Sequence, residues 1–511
     1  MEYILAHDLG TSGNKAVLYN TEGELIKSCT APYKTSYFNS NWAEQNPEDW
    51  WQAVCESTRR LLEGTLTDRI RAVSFSGQMM GCLCVDRNGR PLRPHVLYCD
   101  ARADRQTDEV MERIDLWTFY TITGHRASPS YTLEKLMWIR DNEPHIYRDT
   151  YKVLNAKDYI VYRLTGTLGT DYSDAGGTAA FDIVDKKWSA LIADRVGLDL
   201  EKFPDAHEST AIAGEVTPQA AEETGIPAGT PVCYGAGDGC AAGVGAGSIA
   251  PGETYTCIGS SAWVGATTET PLFDPKRRTP VFPHAVPGLY HSCGAMQTAG
   301  ASFAWAAREV FGTAYEQGEQ GHVYSRMDPE IEHAGPGSHG VIFLPYLMGE
   351  RSPWWDNDAR GCYLGITQET KRGDLLRSVQ EGVAYNLRAV LDIYRESIDI
   401  REMMLVGAGA KSHIWRAILA DVFGLPLLQP RNIEECTSMG AAIIGGVAAG
   451  IYPDFASVRP FFRILLRQQP VEKNAAFYQE HFRVFVRAYE ALRRVFPQIA
   501  AGSREGTYCE H

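Results

Sequence analysis

The chain has 511 residues, and its 49 Lys plus Arg against 63 Asp plus Glu give a formal net charge of −14. This acidic balance excludes nucleic acid and anionic membranes as partners held by bulk charge, because such binding needs concentrated positive charge. A hydrophobic share of 44% and a charged share of 22% are those of a globular protein, and they exclude intrinsic disorder and fibrous repeats. Glycine, with 48 residues, is in mild excess.

The cysteines and the N-terminal residues indicate a reduced, intracellular compartment. Twelve cysteines are dispersed without a C-x-x-C spacing, which is typical of free thiols rather than of a disulfide framework. The first residues contain acids where a secretory signal has a basic flank and an apolar core. The longest uncharged stretch, residues 279–307, contains prolines and histidines and does not fit a membrane span. We therefore expect a cytoplasmic protein.

The first part of the chain predicts a sheet whose strands are joined by short turns. Apolar, β-prone residues predict strands at 3–7, 16–19 and 25–26. A helix follows from Pro47 to about Leu62, because proline is favoured in the first turn and apolar residues recur at helical spacing. Two further predicted strands are 70–76 and 83–86. From about residue 104 to residue 195 the pattern is mainly helical.

The second part of the chain repeats the design of the first. A strand at 232–235 leads into a glycine-rich segment, and a strand at 254–258 runs into a loop of small residues, as the strand near residue 4 does. A helix at 374–395, a strand at 403–406 and a helix at 412–423 follow, and one amphipathic helix is predicted from Val471 to Val495, ending at Pro497.

These patterns predict an α/β protein with two related halves and a boundary near 247–253. The predicted domains are residues 1–247, residues 253–453 and a helical tail at 454–511. The sequence does not determine the oligomeric state, and a homodimer is the default expectation because it is the commonest arrangement among soluble oligomers.

The loop Asp8–Gly13 is the first candidate site. It offers backbone N–H groups unshielded by large side chains, the hydroxyls of Thr11 and Ser12, and a carboxylate at a strand end. Such a loop can wrap phosphate oxygens, and Asp8 can hold Mg²⁺, usually through water. Lys15 is close enough in sequence to add a positive charge. An ordinary hairpin turn is the alternative, and the six residues alone do not decide between the two.

Two later glycine-rich turns are also candidate sites. In Gly235–Gly239 a single carboxylate, Asp238, follows a strand and could act as a general base, although a helix cap is the more common role for such a residue. In 405–412 a strand, a glycine turn and a helix start could lay a base or phosphate against bare backbone. Ala410 excludes a Walker loop there, and a purely structural turn is the alternative. Neither an H-E-x-x-H zinc motif nor a G-x-S-x-G nucleophile elbow occurs in the sequence.

The order and spacing of these signals resemble the FGGY family of carbohydrate kinases, and within it most closely the xylulokinases. The resemblance covers nearly the whole chain. The matching segments are, in chain order, the loop at 8–13, WAEQNP at 42–47, SGQMMG at 76–81, LYCD at 97–100, KLMW at 135–138, KDY at 157–159, GD at 237–238, FLPYLMGER at 343–351, GCYLG at 361–365 and GAGAKS at 407–412.

The resemblance implies two ribonuclease-H-like (actin-like ATPase) domains flanking a central cleft, with ATP and Mg²⁺ as cofactors. It implies that Asp238 is the general base and that Asp8 lies near Mg²⁺, bound to it through water. The implied substrate-binding residues are Gln78, Met79, Met80, Asp100, Asp238 and Gly239. The implied ATP-binding residues are Thr11, Ser12, Lys15, Gly259, Ser260, Gly300, Gly407, Gly409, Ala410, Lys411 and Ser412.

Two departures from the family pattern concern the sugar. Xylulokinases typically have histidine where this chain has Met80, and asparagine where it has Gly239, so two hydrogen-bonding side chains are missing and hydroxyl recognition is expected to change. We predict phosphorylation of a terminal hydroxyl of an open-chain sugar, with D-xylulose as the first candidate. Another pentulose, a polyol such as erythritol or glycerol, or gluconate are alternatives. A non-catalytic actin-like ATP-binding sugar sensor is the alternative from a different class.

Overall fold

The computed structural model describes residues 2–310, Gly312 and residues 327–505. The chain divides into two compact units. Unit 1 comprises Met1–Pro251, Thr267–Ser292 and Glu435–Phe462, and unit 2 comprises the remaining segments, Gly252–Ala266, Cys293–Glu434 and Arg463–His511. Over the described residues, none of the helices has both the length and the apolar character that crossing a membrane requires.

The strands are distributed along the whole chain. In chain order they are β1 (Tyr3–Leu9), β2 (Gly13–Asn20), β3 (Leu25–Pro32), β4 (Ser36–Phe38), β5 (Trp42–Gln45), β6 (Ile70–Gly77), β7 (Leu83–Val85), β8 (His95–Val96), β9 (Lys152–Leu154), β10 (Gly169–Asp171), β11 (Phe181–Asp182), β12 (Lys187–Trp188), β13 (Asp205–His207), β14 (Ile212–Glu215), β15 (Pro231–Cys233), β16 (Ala236–Gly237), β17 (Thr254–Ile258), β18 (Ala262–Thr268), β19 (Val281–Pro283), β20 (Tyr290–Met296), β21 (Ile342–Leu344), β22 (Cys362–Leu364), β23 (Met403–Val406), β24 (Leu427–Pro430) and β25 (Ile464–Gln468).

The helices alternate with these strands. In chain order they are α1 (Pro47–Leu62), α2 (Asp104–Arg113), α3 (Leu116–Thr123), α4 (Thr132–Asn142), α5 (Pro144–Asp149), α6 (Ala156–Thr165), α7 (Tyr172–Gly176), α8 (Ala190–Val196), α9 (Pro218–Thr224), α10 (Asp238–Gly245), α11 (Gly300–Trp305), α12 (Asp328–Ala334), α13 (Arg372–Arg395), α14 (His413–Phe423), α15 (Cys436–Ala448), α16 (Glu472–Leu492) and α17 (Phe496–Glu505).

The main sheet of unit 1 has the strand order β14-β15-β6-β1-β2-β3, and β16 pairs with the far end of β6. Strands β1 and β2 form an antiparallel hairpin, whereas β6 is parallel to β1, and β15 and β16 are parallel to β6. The carboxyl ends of β1, β6 and β16 therefore lie at one edge of the sheet. This edge is where ligands bind in open α/β sheets.

Helices cover both faces of this sheet. Helix α1 packs on β2 and β3, while α15 packs on β1 and β6 and also against α10. The crossing of α10 and α15 depends on glycine: a Cβ at Gly245 would lie 1.8 Å from the Cys436 carbonyl oxygen, and a Cβ at Gly440 would lie 1.8 Å from the Ala241 oxygen. Part of the glycine excess therefore serves a close helix crossing, which holds α10 against α15.

Unit 2 contains a second sheet, in which β18, β17, β23, β24 and β25 are neighbours in that order. Strands β17 and β18 form an antiparallel hairpin, and β23 is parallel to β17. These pairings repeat those of β1, β2 and β6 in unit 1. The fold therefore confirms the prediction of two α/β units of related design, and the loops Leu9–Gly13 and Ile258–Ala262 occupy corresponding hairpin positions.

The predicted elements correspond closely to the observed ones in most places. Helix α1, β17 and β23 have the predicted bounds, and α13 begins two residues earlier than predicted. The tail differs, because α16 ends at Leu492 and Pro497 lies in the first turn of a new helix, α17, rather than ending one long helix. Proline is tolerated there because the first-turn N–H groups have no partner within the helix. The tail also contributes β25, and residues 506–511 lie outside the described part. The domain division at 247 and 253 stays a prediction.

Candidate active site

The loop between β1 and β2 turns its carbonyl groups towards the protein. The oxygen of Gly10 accepts a hydrogen bond from the Tyr33 hydroxyl, and the oxygen of Thr11 accepts one from Gln45 Nε2 at 2.8 Å. The oxygen of Ser12 accepts one from the Tyr33 N–H at 3.1 Å. In a trans peptide the N–H points opposite to the C=O. The N–H groups that follow these carbonyls therefore point away from the protein contacts, as a phosphate-binding loop requires.

Asp8 lies at the end of β1, next to this loop. Its Oδ1 accepts a hydrogen bond of 3.0 Å from Ser76 Oγ, and burial raises the pKa of its carboxyl, opposed by Ser76 and by Lys15. Lys15, which is opposite Asp8 in the β1–β2 register, forms a 2.5 Å ion pair with Glu435. Sequence reasoning selected Asp8 and Lys15 but missed Glu435, which is 420 residues away along the chain.

The fit of this corner to Mg²⁺ follows from its donors. Among the described residues, no group of three or more His, Cys, Asp or Glu side chains could form a complete metal site. Mg²⁺ commonly keeps several waters and takes one or two protein carboxylates together with substrate phosphates. One carboxylate beside a loop of outward N–H groups fits that mode of binding, so Asp8 is the residue that would hold the ion.

Gln78 follows β6 and is connected to the Asp8–Gly13 loop through Gln45. Gln78 Nε2 donates to Gln45 Oε1 at 2.8 Å, and the same oxygen accepts a hydrogen bond of 2.9 Å from Trp50 Nε1. Because Gln45 Nε2 also donates to the Thr11 carbonyl, one amide side chain ties the loop to the predicted sugar segment. Gln45 was not predicted as a site residue, although its segment, WAEQNP, was among the matching ones.

Met80 adopts the left-handed backbone conformation, with φ of 67°, which is rare for residues other than glycine. Its carbonyl oxygen accepts a hydrogen bond of 3.3 Å from Lys135 Nζ, and the next carbonyl, that of Gly81, accepts one of 2.8 Å from Thr132 Oγ1. Burial lowers the pKa of Lys135 to about 8. Helix α4 therefore holds the Met80 backbone through a buried ammonium group. Met79 is buried and packs against the backbone at Gly237.

Asp100 has a different environment from the other predicted sugar residues. Its carboxylate is fully buried and is held by Arg102 Nε at 2.9 Å and Nη2 at 2.7 Å. The backbone N–H groups of Ala43 and Arg102 donate to it as well, at 2.6 and 2.9 Å. Four donors from the protein surround this carboxylate, so the structure gives Asp100 the environment of a supporting residue. Its role as a substrate ligand stays a prediction.

Asp238 is the first residue of α10 and is exposed, in contrast to the buried residues that precede it. The helix cap is Gly237 rather than Asp238, so the alternative interpretation of Asp238 as a cap does not describe the geometry. Asp238 Oδ1 accepts a hydrogen bond of 2.7 Å from the Gly239 N–H. A Cβ at Gly239 would have no neighbour within 4 Å, so the space beside Asp238 is open.

Strand pairing brings these groups of unit 1 to one edge of its sheet. Asp8 is in register with Ser76, and Gly237 is in register with Gly77. Asp8, Gln78 and Asp238 therefore lie at the carboxyl ends of three neighbouring parallel strands. The predicted base, the predicted metal-binding carboxylate and the predicted phosphate loop thus occur together in unit 1.

The glycine loops of unit 2 meet around Ile258, the last residue of β17. The N–H of Gly300 donates to the Gly259 oxygen at 2.9 Å, and those of Ala299 and Ala301 donate to the Ser260 oxygen at 2.8 and 3.0 Å. A Cβ at Gly300 would lie only 2.5 Å from the Gly259 oxygen. The predicted second phosphate loop and the predicted Gly300 turn are therefore one joined structure.

The turn after β23 completes this group. Gly407 has φ of 88°, and a Cβ there would lie 2.5 Å from the Ile258 oxygen, while one at Gly409 would lie 2.4 Å from Ile258 Cγ2. A short 3₁₀ segment, Ala408–Lys411, contains the buried Ala410 and leads to Ser412, whose hydroxyl caps α14 by accepting from Trp415 N. Lys411 is exposed and forms a 2.7 Å ion pair with Glu434. Bare backbone is thus concentrated at the carboxyl ends of β17 and β23, and the nucleotide-binding role of these residues stays a prediction.

Comparison with known proteins gives an independent result. Two family models match, described as the N-terminal and C-terminal domains of the FGGY family of carbohydrate kinases, over residues 3–245 and 254–449. The chain is 32% identical to the xylulose kinase of Escherichia coli strain K12, covering 95% of this chain and 98% of that protein. It is 29% identical to the gluconokinase of Bacillus subtilis strain 168, covering 98% of each.

The solved structures agree. The crystal structure of ligand-bound xylulose kinase from Lactobacillus acidophilus has a TM-score of 0.91 and 25% identity, covering 98% of this chain and all of that one. These findings confirm the predicted family, the predicted fold class of two actin-like α/β domains, and the prediction of a kinase rather than of a non-catalytic sensor.

Proposed function

The chain belongs to the FGGY family of carbohydrate kinases, and we propose that it transfers the γ-phosphoryl group of ATP to a terminal hydroxyl of an open-chain sugar, with D-xylulose as the first candidate. The observation that carries this proposal is the position of Asp238, an exposed carboxylate at the same sheet edge as Asp8 and the Asp8–Gly13 loop. The xylulose kinase relative supports the choice of sugar.

The proposed chemistry is a direct displacement at phosphorus. The sugar hydroxyl oxygen attacks the γ-phosphorus, its proton moves to the Asp238 carboxylate, and the bond from phosphorus to the bridging oxygen breaks with its electron pair on ADP. Such a reaction needs positioning and charge neutralisation more than covalent chemistry. The outward N–H groups of the loop at Thr11 and Ser12 supply fixed donors for phosphate oxygens.

Mg²⁺, when bound, neutralises charge on the phosphates, and Asp8 is the residue proposed to hold it through water. Lys15 forms an ion pair with Glu435. We propose that its ammonium group partly balances the negative charge of Asp8 and also attracts the phosphates of ATP. In unit 2, Gly259, Ser260, Gly300, Gly407, Gly409, Ala410, Lys411 and Ser412 are the proposed nucleotide-binding residues.

Gluconate is the second candidate substrate, because the gluconokinase relative matches over the same length of chain. D-xylulose and gluconate differ chemically in the carboxylate of the latter. Met79 and Met80 are uncharged, so this segment of the proposed sugar site supplies no charged side chain that could bind the carboxylate of gluconate. This favours a neutral ketose over an aldonate.

A coupled assay of ADP release over ketopentoses, polyols and aldonates tests this proposal. We expect stimulation of turnover by a ketopentose above all others, and absence of stimulation by every compound would reject the proposed function. In the same assay Asp238→Asn should lower kcat by about 10²–10⁴-fold, the range that general base catalysis contributes, without loss of ATP binding. Asp68→Asn changes a carboxylate of unit 1 that is 75% exposed, and this control should have wild-type turnover.

A further inference from the structure

A cluster of four buried charged residues is linked by hydrogen bonds to Gly237, the residue before the proposed general base. Lys157 Nζ is within 2.7 Å of Asp158 Oδ1, 2.8 Å of Asp171 Oδ1 and 3.1 Å of Asp174 Oδ2, and all four side chains are almost completely buried. Burial alone would lower the pKa of Lys157, but the three carboxylates outweigh it and raise the pKa well above its usual value. The ammonium group is therefore a permanent charge at the centre of the cluster.

Hydrogen bonds lead from this cluster to the residue before Asp238. Asp171 Oδ2 accepts a hydrogen bond of 2.6 Å from Ser173 Oγ, and Ser173 Oγ accepts one of 2.9 Å from the N–H of Gly237. The direction of each bond is fixed, because a carboxylate can only accept and a backbone N–H can only donate. Ser173 is fully buried, so no water competes for its hydroxyl.

The second connection from Lys157 is through packing. A Cβ at Gly77 would lie 2.9 Å from Lys157 Cβ, so the lysine stem lies directly against the end of β6. Gly77 is in register with Gly237 and is followed by Gln78, the proposed sugar residue. One buried lysine therefore supports the ends of the two strands that lead to the base and to the sugar segment.

We propose that Ser173, oriented by Asp171 and Lys157, is a positioning residue for Asp238. Its hydroxyl holds the N–H of the Ala236–Gly237 peptide and thereby fixes the backbone from which Asp238 begins α10. This inference rests on the proposed function, since it assumes that Asp238 is the base. The chain from Lys157 to Asp171, Ser173 and Gly237 holds the backbone below Asp238, while the Gly239 N–H holds the carboxylate itself.

A matched pair of serines tests the proposal. Ser209 Oγ donates to the same oxygen, Asp171 Oδ2, at 2.7 Å, and it is buried like Ser173, but the Gly237 N–H bonds to Ser173. Ser173→Ala and Ser209→Ala each remove one donor from Asp171 in the full-length enzyme. We expect Ser173→Ala to lower kcat by about 10- to 100-fold, since small displacements of catalytic groups have effects of this size, with KM for sugar and ATP nearly unchanged.

Ser209→Ala should keep kcat within about threefold of the wild type, because its hydroxyl contacts no part of the Gly237 peptide. Equal kcat values in the two variants, or a loss in Ser173→Ala that resides in KM, would overturn the positioning role. Ser173→Thr keeps the hydroxyl and should restore kcat. If Ser173→Ala does not fold, Ser173→Cys keeps the shape of the side chain, with a somewhat larger sulfur that is only a weak hydrogen-bonding group. It should show the same loss of kcat, whereas wild-type kcat in it would overturn the proposal.

Asp238→Asn, measured in parallel, separates this inference from the proposed function. Full turnover in Asp238→Asn would reject the assignment of the base, and with it the positioning role. An inactive Asp238→Asn together with equal kcat in the two serine variants would reject the role of Ser173 alone.

Discussion

Replacing Gly300 by alanine is expected to weaken the use of ATP specifically. The new Cβ would lie 2.5 Å from the backbone oxygen of Gly259, whereas ordinary contact begins at 3.4 Å, so the two loops must separate by about 0.9 Å. No flexible side chain can absorb this displacement, because the obstacle is backbone. The N–H of Gly300 donates to the same oxygen at 2.9 Å, and this bond, with a net value of about 0.5–1.5 kcal/mol, would be lost.

A displacement of about 1 Å in a positioning element costs roughly 10²-fold in rate, so kcat/KM for ATP should fall by about 10- to 100-fold. Steady-state assays with varied ATP, together with calorimetric titration of ATP and sugar, measure this. Gly424→Ala is the control: Gly424 has φ of 65° and free space for a Cβ, so its replacement costs about 1 kcal/mol of stability without moving a loop. A wild-type kcat/KM for ATP in Gly300→Ala would refute the assignment of this turn to the nucleotide.

Two further predictions concern buried lysines of unit 1. Burial lowers the pKa of Lys135 to about 8. The ammonium group that holds the Met80 carbonyl therefore loses its proton above about pH 8, and KM for the sugar should rise there. Lys135→Met should abolish this pH dependence of KM. Between about pH 8 and the ordinary pKa of 10.5, Lys135 is protonated in the unfolded state but not in the native state, so it makes the free energy of unfolding rise with pH. Unfolding curves of the wild type and of Lys135→Met at several pH values measure this. Lys157→Met leaves three buried carboxylates without their cation and should cost about 3–5 kcal/mol in urea unfolding, whereas Arg60→Ala, in an exposed pair, should cost under about 1 kcal/mol. Equal losses in Lys157→Met and Arg60→Ala would contradict the importance of the cluster.

The sequence predicted what depends on local pattern. The helix at Pro47–Leu62 and the strands Thr254–Ile258 and Met403–Val406 follow from proline placement, apolar spacing and glycine turns, all of which act over a few residues. The equivalence of the two hairpin loops was also visible, because both have small residues after an apolar strand. The local pattern at Asp238 favoured a helix cap, and its prediction as the base came from the family resemblance and stays a prediction.

Other features could not be predicted, because they join distant parts of the chain. The pairing of Lys15 with Glu435 and the link between Ser173 and Gly237 exist only once the strands are in register. Asp100 shows the reverse case: its segment matched the family, but no local pattern revealed that Arg102 and two backbone N–H groups enclose the carboxylate. Sequence pattern therefore predicts candidate chemical groups, whereas the residues that support them become visible only in the structure.

The supporting residues matter because the proposed base is exposed. An aspartate in solvent can occupy several rotamers, and holding one of them costs conformational entropy, which the hydrogen bond from the Gly239 N–H to Asp238 offsets in part. The backbone that precedes Asp238 is held in place, since the Gly237 N–H is bound by Ser173 and β16 is paired to β6 at Gly77. A buried charge is costly to enclose, so a lysine with three carboxylates is a poor means of increasing stability and a reasonable means of fixing geometry. On this argument the cluster around Lys157 is explained by the orientation of Asp238 rather than by the stability of unit 1.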